Sequence, residues 1–409
     1  MNHYATNTFF DHGGRHYYFA KYLIQKDYDV TIFCASTVHN SNRNIEIIYG
    51  KYTKDMVDSI PYVFVKTPSY TGNGKKRIQN MLSFYRNLFP VVKDYAEKHG
   101  RPDVILASSV HPLTLVAGIK IARKWKIPCI CEIRDLWPET LIYVSKLKKQ
   151  NPIIFILYRL EKWIYKNADA LIFTMEGGKQ YIIDKNWNTD IDMSKIYHIN
   201  NGVDLNIFKY NINNFKIDDK DLKSDKIFKI IYIGSIRAVN NLNLLVKCAE
   251  QMKNIFRIKF LIWGDGPDRN SLEDKCKKLD LNNIVFKGKV DKKYVPYIVS
   301  KADVNILHYR SLPILQYGGS HNKLFEYLAA GKLIVSDITE GYDILKKYHC
   351  GIIVDNQKPE KLKDILLGCY HMDPAKRLTY EKNAQNASKE YDFSHLTDKL
   401  EIVIKNLLS

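Results

Sequence analysis

Lys323 and Glu326 stand three residues apart in the stretch GGSHNKLFEYLAAGK, residues 318–332. That spacing places them on one face of a short helix. Leu324, Phe325, Tyr327 and Leu328 make the rest of it apolar. A helix entered through Gly318 and Gly319 has first N–H groups with no intrahelical acceptor, and these suit a phosphate oxygen. Lys323 adds a positive charge there. Glu326, one turn in, can accept hydrogen bonds from two adjacent hydroxyls, as a ribose diol offers. The plainer alternative is a Lys–Glu surface pair, which the apolar flanks disfavour.

Other stretches carry comparable chemistry. HGGRH (12–16) sets Gly13 and Gly14 at a helix start, where free N–H groups suit an anion; a simple tight turn reads the same way. In YIGSIRAVNNL (232–242), Arg237 projects from a strand-to-helix loop, as a phosphate contact or as a solvated side chain. GDGPD (264–268) is a turn in which Asp268 can cap the next helix. His111 ends one strand and RDLWPE (134–139) ends the next, so His111, Arg134 and Asp135 gather at adjacent strand ends, a constellation suited to acid–base work. DID (190–192) matches a metal-binding D-x-D but lies in a polar loop and reads as chance. GDGPD lacks the later ligands of a calcium loop.

These loops need a scaffold, and the chain alternates strand-like and helix-like segments to provide one. Strands are expected at 29–33, 62–66, 103–107, 128–133, 170–174 and 196–200, with helices at 76–99, 112–126 and 151–167. A polar stretch at 209–226 has no apolar periodicity and reads as linker plus surface loop. The alternation restarts at 228–236, 258–266, 283–288, 303–307, 332–337 and 350–354, and the tail from 374 reads as two helices. Alternating β and α units imply parallel sheets, and 409 residues with a restart imply two doubly wound α/β domains. In such folds ligands sit beyond the carboxyl ends of the strands.

Composition narrows the class. With 45% hydrophobic residues, 28 Tyr and 17 Phe, packed cores are easily built. No apolar run approaches the roughly 18 residues that cross a bilayer, and MNHYATNTFF lacks the basic start and apolar stretch of a signal peptide. Seven scattered cysteines read as reduced core residues of a cytosolic protein, Cys129 and Cys131 facing the same way on a strand. The net charge of +18 calls for an anionic partner: phosphorylated substrate, anionic membrane or nucleic acid. Against nucleic acid, no recognition helix, zinc pattern or RNP-type aromatic pair is present.

NNGVDLNIF (200–208), GDGP (264–267), FKGKV (286–290) and KLFEYLAAGK (323–332) occur in the order typical of glycosyltransferase family 4, and the chain resembles that family over essentially its whole length. IRDLWPE with GSIRAVNNL looks like the subset that builds bacterial capsules and O-antigens, near the amino-fucose transferases. The resemblance implies a GT-B fold: two Rossmann-like domains facing a cleft, with a C-terminal helix crossing back to the first. The corresponding division is an acceptor-side domain over 1–205, a nucleotide-sugar domain over 206–385 and a returning helix over 386–409. It implies a retaining transfer without bound metal or other cofactor. By position, Glu326 matches the ribose-binding glutamate. Lys323 and the amides around Asn322 and Leu324 match the pyrophosphate site, Gly14 the donor-phosphate glycine, and the region after Gly288 the base contact. His111 matches a histidine used at the donor sugar.

The chain departs from the family pattern in three places. Gly318 stands where a first glutamate is usual. Arg237, with Asn240 or Asn241, stands near the usual Arg and Lys. Finally, the first strand normally precedes a sequence like NHYA, so a mis-set or truncated start with a weak central strand is expected. The function implied is transfer of a sugar from a nucleotide donor, UDP-linked by expectation, to a lipid-pyrophosphate-linked glycan, in the cytoplasm at the inner face of the membrane. A sugar-nucleotide epimerase on the same fold is the alternative; a nucleic-acid-binding protein has only the charge in its favour. Two segments of the first domain combine cations with apolar residues and fit an anionic membrane. One is 72–98, with Lys75, Lys76 and Arg77; the other is 145–166, with Lys146, Lys148 and Lys149. The main contact is expected on 72–89.

Overall fold

The computed structural model describes residues 1–39, 41, 43–72, 74–109, 111–144 and 148–409. The chain forms two compact units: Met1–Asn200 together with Phe393–Ser409, and Asn201–Asp392.

The first unit contains β1 (Ile32–Ala35), β2 (Tyr52–Val57), β3 (Ile60–Val65), β4 (Ile105–Ser108), β5 (Cys129–Ile133), β6 (Ala170–Phe173) and β7 (Ile196–His198). They form one sheet ordered β1-β3-β2 and another ordered β4-β5-β6-β7. Met1–His3 run between the two. The Asn2 amide donates to Phe33 O (2.9 Å), the Ala35 amide to His3 O (3.0 Å) and the Ser108 amide to Met1 O (2.9 Å). Three residues thus do the work of a central strand and leave His3 at its carboxyl end, beside β4.

Every residue of β5 is buried, as expected of a parallel strand covered on both faces. β2 has no counterpart in the sequence reading. It pairs antiparallel with β3, but five of its six residues are partly or fully exposed, so no buried alternation marks it. The expected helices appear at Lys75–His99, Pro112–Trp125 and Pro152–Asn167. The helix Phe393–Leu408 packs on Arg15–Ile24, with the Phe393 and Tyr18 rings stacked at 4.8 Å and Lys26 bonded to Asp398 (2.6 Å) and Glu401 (2.5 Å). All seven cysteines are buried and free.

The second unit holds β8 (Phe228–Ile233), β9 (Ile258–Trp263), β10 (Ile284–Gly288), β11 (Val304–Leu307), β12 (Leu333–Ser336) and β13 (Ile352–Ile353). They make a six-stranded parallel sheet ordered β10-β9-β8-β11-β12-β13. Alternate residues feed two cores: Ile231, Ile233, Leu261 and Trp263 one face, Ile230, Tyr232, Phe260 and Ile262 the other. The order reverses between β8 and β11, and such a reversal opens a crevice at the carboxyl ends.

The stretch 209–226 is not a linker. Asp204 caps a helix over Leu205–Asn214 by accepting from the Ile207 amide (2.9 Å), and Phe208 is buried under it. Asp219 and Asp221 each bond Lys287 at 2.6 Å. A half-buried lysine on β10 recruits the acidic run, a pairing that local periodicity cannot reveal. The cap expected from Asp268 does not form: its backbone is helical, and its side chain makes no capping bond to the helix Arg269–Lys278.

Candidate functional site

The helix Asn322–Ala330 begins at the carboxyl edge of the second unit's sheet, with His321 as its N-cap and Gly331 as a left-handed C-cap. Leu324, Phe325, Tyr327 and Leu328 are buried, which turns Lys323 and Glu326 to the opposite side. Lys323 reaches under the β8 loop: Nζ donates to the Tyr232 hydroxyl (3.1 Å) and lies 4.2 Å from the ring centroid. The Tyr232 hydroxyl donates to Ser235 O (2.9 Å) and accepts from Asn240 Nδ2 (2.6 Å), so the ammonium takes its remaining lone pair. Burial pushes the Lys323 ammonium down to about 7, against the pull of Asp337 and Glu326. Burial likewise raises Glu326, against Lys292 and Lys323. A lysine poised near neutrality beside a partly exposed carboxyl is primed for an anionic, hydroxyl-bearing ligand.

The loop above Lys323 approaches its neighbours so closely that only glycine fits. A Cβ on Gly264 (φ +139°) would lie 1.8 Å from Gly234 O. A buried pair fastens the loop's far end: His308 Nδ1 contacts Asp337 at 2.6 Å, and His308 Nε2 donates to Asn241 O (2.9 Å). Arg237 is exposed on this loop. The Asn322 amide belongs to the open first turn, while its side-chain Oδ1 accepts from Asn201 Nδ2 (2.9 Å). The Leu324 amide donates to His321 O (2.9 Å), so it is spent within the turn and is not free for phosphate. Gly288 has φ +84°, and its carbonyl accepts from the Gly264 amide (2.8 Å), so that oxygen is already engaged.

Near Gly318, a carboxylate arrives from elsewhere in the chain. Glu340, on the loop after β12, accepts from His321 Nε2 (3.2 Å), and a Cβ on Gly319 would fall 2.4 Å from its Oε2. Sequence reasoning missed Glu340 because nothing local ties it to residue 319.

In the first unit, Gly14 (φ +112°) is the N-cap of Arg15–Ile24, and a Cβ there would strike Thr8 at 2.9 Å. The Gly13 amide donates to Thr8 O (3.3 Å). The two residues that follow point inward. Glu132 accepts from Arg15 Nε (2.7 Å), His16 Nε2 (3.0 Å) and Ser108 Oγ (2.7 Å), and Arg15 also donates to Ile199 O (2.8 Å) and Asn200 O (2.5 Å). This buried network rivets the glycine turn to three strands. Its members Arg15 and His16 were visible in HGGRH, but their partner is 116 residues or more away.

His111 and Arg134 stand where adjacent strands end. The Arg134 amide donates to Ser109 Oγ (3.0 Å), joining the two loops. His111 Nε2 is bonded to His3 Nδ1 (2.6 Å), and His3 Nε2 to Asn80 Oδ1 (2.7 Å). Three polar atoms here are buried without a partner among the described residues: His111 Nδ1, Thr114 Oγ1 and Arg134 Nε. Such atoms cost free energy unless a ligand satisfies them. Asp135 is exposed and borders a small cavity with Trp137 and Glu161. The D-x-D motif is structural: Asp190 pairs with Lys162 (2.6 Å), and Asp192 caps a turn at Ser194 (2.8 Å). Among the described residues, no group of three His, Cys, Asp or Glu is placed to hold a metal ion.

The chain is similar to known proteins in sequence and in fold. Residues 15–207 match the family model Glycosyltransferase Family 4, and residues 213–387 match Glycosyl transferases group 1. The Bacillus subtilis protein TuaH, named a teichuronic acid biosynthesis glycosyltransferase, is 24% identical over 204 residues; the match spans 49% of this chain and 49% of that protein. The chain therefore spans about half the length of the curated relative it matches. Sucrose-phosphate synthase from Thermosynechococcus elongatus superposes with a TM-score of 0.72 at 16% identity, over 97% of this chain and 94% of that one. Anabaena HepE in complex with UDP-glucose gives 0.60 at 17% identity, over 85% and 87%. At such identities the superpositions show the fold.

Proposed function

The chain being a glycosyltransferase of GT-B fold, we propose that it moves a hexose or amino sugar, with retention, from a UDP-linked donor to a lipid-pyrophosphate-linked glycan of a bacterial surface polysaccharide. The observation that carries this reading is the pairing of Lys323 and Glu326 on one face of the helix at the strand-order reversal. Lys323, Arg237 and the open first turn neutralise the departing diphosphate, and Glu326 holds the ribose. The bond from the anomeric carbon to the diphosphate breaks, a bond to the acceptor oxygen forms on the same face, and the acceptor proton leaves on a diphosphate oxygen. No step calls on a metal. The match to a protein named for teichuronic acid biosynthesis and the fold shared with a UDP-glucose complex support the polymer and the donor class.

The test is a thermal-shift panel of nucleotide sugars, since a ligand bound by the native state raises its melting temperature. Release of nucleoside diphosphate is then followed with a lipid-linked acceptor, with and without EDTA. UDP-sugars are expected to shift the transition, and turnover is expected to need acceptor and survive EDTA. An isomerised sugar nucleotide formed from donor alone would replace transfer by epimerisation. Glu326→Ala is expected to weaken donor binding by roughly 1.5–3 kcal/mol, the worth of hydrogen bonds to a charged group. Unchanged donor affinity would take Glu326 out of the site. His111→Ala and Asp135→Ala should slow transfer while donor affinity holds; near wild-type transfer in both would make them structural.

The acceptor's lipid calls for a membrane surface on the first unit. In the helix Lys75–His99, Phe84 and Leu88 are buried, leaving mainly Ile78 and Leu82 exposed near Lys75 and Lys76. The helix Pro152–Asn167 exposes more: Ile153 is 57%, Phe155 56% and Ile156 63% exposed, next to exposed Lys148, Lys149 and Arg159. Lys146 lies outside the described residues. The weight of the membrane contact therefore moves from 72–89 to 148–159. No helix among the described residues is long and apolar enough to cross a membrane. Co-sedimentation with anionic vesicles is expected, weakening with salt and falling when Phe155 and Ile156 become Asp or Lys148 and Lys149 become Glu. Equal binding to neutral vesicles, or no effect of the substitutions, would defeat this surface.

A further inference from the structure

The imidazole of His111 is held in one protonation form by residues far from it in sequence. Asn80 begins the chain of assignment. Its Nδ2 donates to Pro68 O (2.7 Å) and Thr37 Oγ1 (2.8 Å), and Pro68 O is solely an acceptor, so Oδ1 is the atom turned to His3. Oδ1 can only accept, so His3 Nε2 carries a proton. The neutral His3 ring then presents Nδ1 as a lone pair, and His111 Nε2 must donate to it. His111 Nδ1 is left as a bare acceptor, buried and without a partner among the described residues. Burial lowers the pKa of both rings, with His111 also opposing His3 and Arg77 opposing both; His39 adds to this at His3. Arg77 reaches the relay's side through Tyr4, donating Nε to its hydroxyl (3.0 Å).

We propose that His3 and Asn80 are positioning residues that fix His111 as a hydrogen-bond acceptor, through Nδ1, for a hydroxyl of the transferred or accepting sugar. The proposal rests on the transferase reading for its ligand, but the relay itself does not. His111 is the N-cap of Pro112–Trp125 and makes no capping bond of its own, so its free nitrogen is not spent on the helix. Thr114 Oγ1, one turn on, is the second buried atom awaiting a partner. A sugar diol offers two hydroxyls to such a pair: one can donate to Nδ1 and the other can exchange a hydrogen bond with Thr114. Without His3, the imidazole is free to move its proton to Nδ1 and meet the hydroxyl as a donor, or to take a second proton.

The measurement is nitrogen NMR of the full chain labelled at histidine, with transfer kinetics on the same samples. In wild type, His111 Nδ1 is expected at the position of an unprotonated ring nitrogen between pH 5 and 8, roughly the window in which a free imidazole would titrate. His3→Phe should shift that signal toward an averaged tautomer and introduce a titration in this window. It should lower kcat by at least about tenfold, the scale of a misplaced reacting group, with the donor KM near wild type. His3→Gln can accept through Oε1 and donate to Asn80 through Nε2, so it should restore both signal and rate. A proton found on His111 Nδ1 in wild type overturns the relay, and that spectrum decides even if His3→Phe does not fold. Equal rates and spectra for the Phe and Gln variants overturn it too. If wild type transfers no sugar, the transferase reading fails and the spectra alone decide the relay.

Discussion

Lys323→Ala is expected to cost about two to three orders of magnitude in kcat, the usual loss when one preorganised charge is removed from a developing anion. Donor binding should weaken less, because the diphosphate's charge grows most as the sugar leaves. The same lysine predicts a pH dependence. Burial holds its pKa at about 7 in the free protein, and a bound diphosphate must raise it. Binding therefore favours the protonated form. Donor affinity should be level below about pH 7 and fall by up to about tenfold per unit above it, until the pKa of the complex is reached. Donor titration calorimetry at pH 8, in two buffers of different ionisation heat, should show proton uptake. A flat affinity profile with no uptake, or an Ala variant turning over within about threefold of wild type, would move the diphosphate away from Lys323.

The second large effect is on stability. Glu132→Ala leaves the Arg15 guanidinium buried without its carboxylate, a change that costs about 3–5 kcal/mol when a buried pair is broken. Replacing the group together, as Arg15→Met with Glu132→Leu and His16→Phe, should recover part of that loss. Acid should act in the same direction. Burial raises the Glu132 carboxyl, but Arg15 and His16 outweigh it and hold it well below the usual range. Its contribution is present above an unfolded pKa of about 4.3 and is lost as the pH falls from there toward the folded value. Burial lowers His16, as it does His3 and His111, so the unfolded chain binds protons first as pH drops below about 6.5. The first unit should therefore weaken in two stages. Hydrogen exchange of the Ile105–Ser108 and Cys129–Ile133 amides reads this unit separately. Wild-type protection in Glu132→Ala, or none of the acid loss, would show that the network carries no stability.

The sequence alone determined the α/β architecture, because strand and helix periods and Gly-rich turns are local properties of the chain. Nearly every parallel strand was legible as an apolar run, as were the helix carrying Lys323 and Glu326 and the family whose motifs surround it. The edge strand Tyr52–Val57 was not, because its solvent-facing side chains erase the alternation. The helix Leu205–Asn214 was not, because the lysine on β10 that steadies the acidic run after it lies far along the chain. Tertiary structure alone decided the protonation form of His111, the burial of Arg15 against Glu132, the placement of Glu340 beside Gly319, and which apolar helix face stays in solvent. The first three depend on residues between 19 and 117 positions apart meeting at low dielectric, where a hydrogen bond or an unpaired atom is worth more than any local preference.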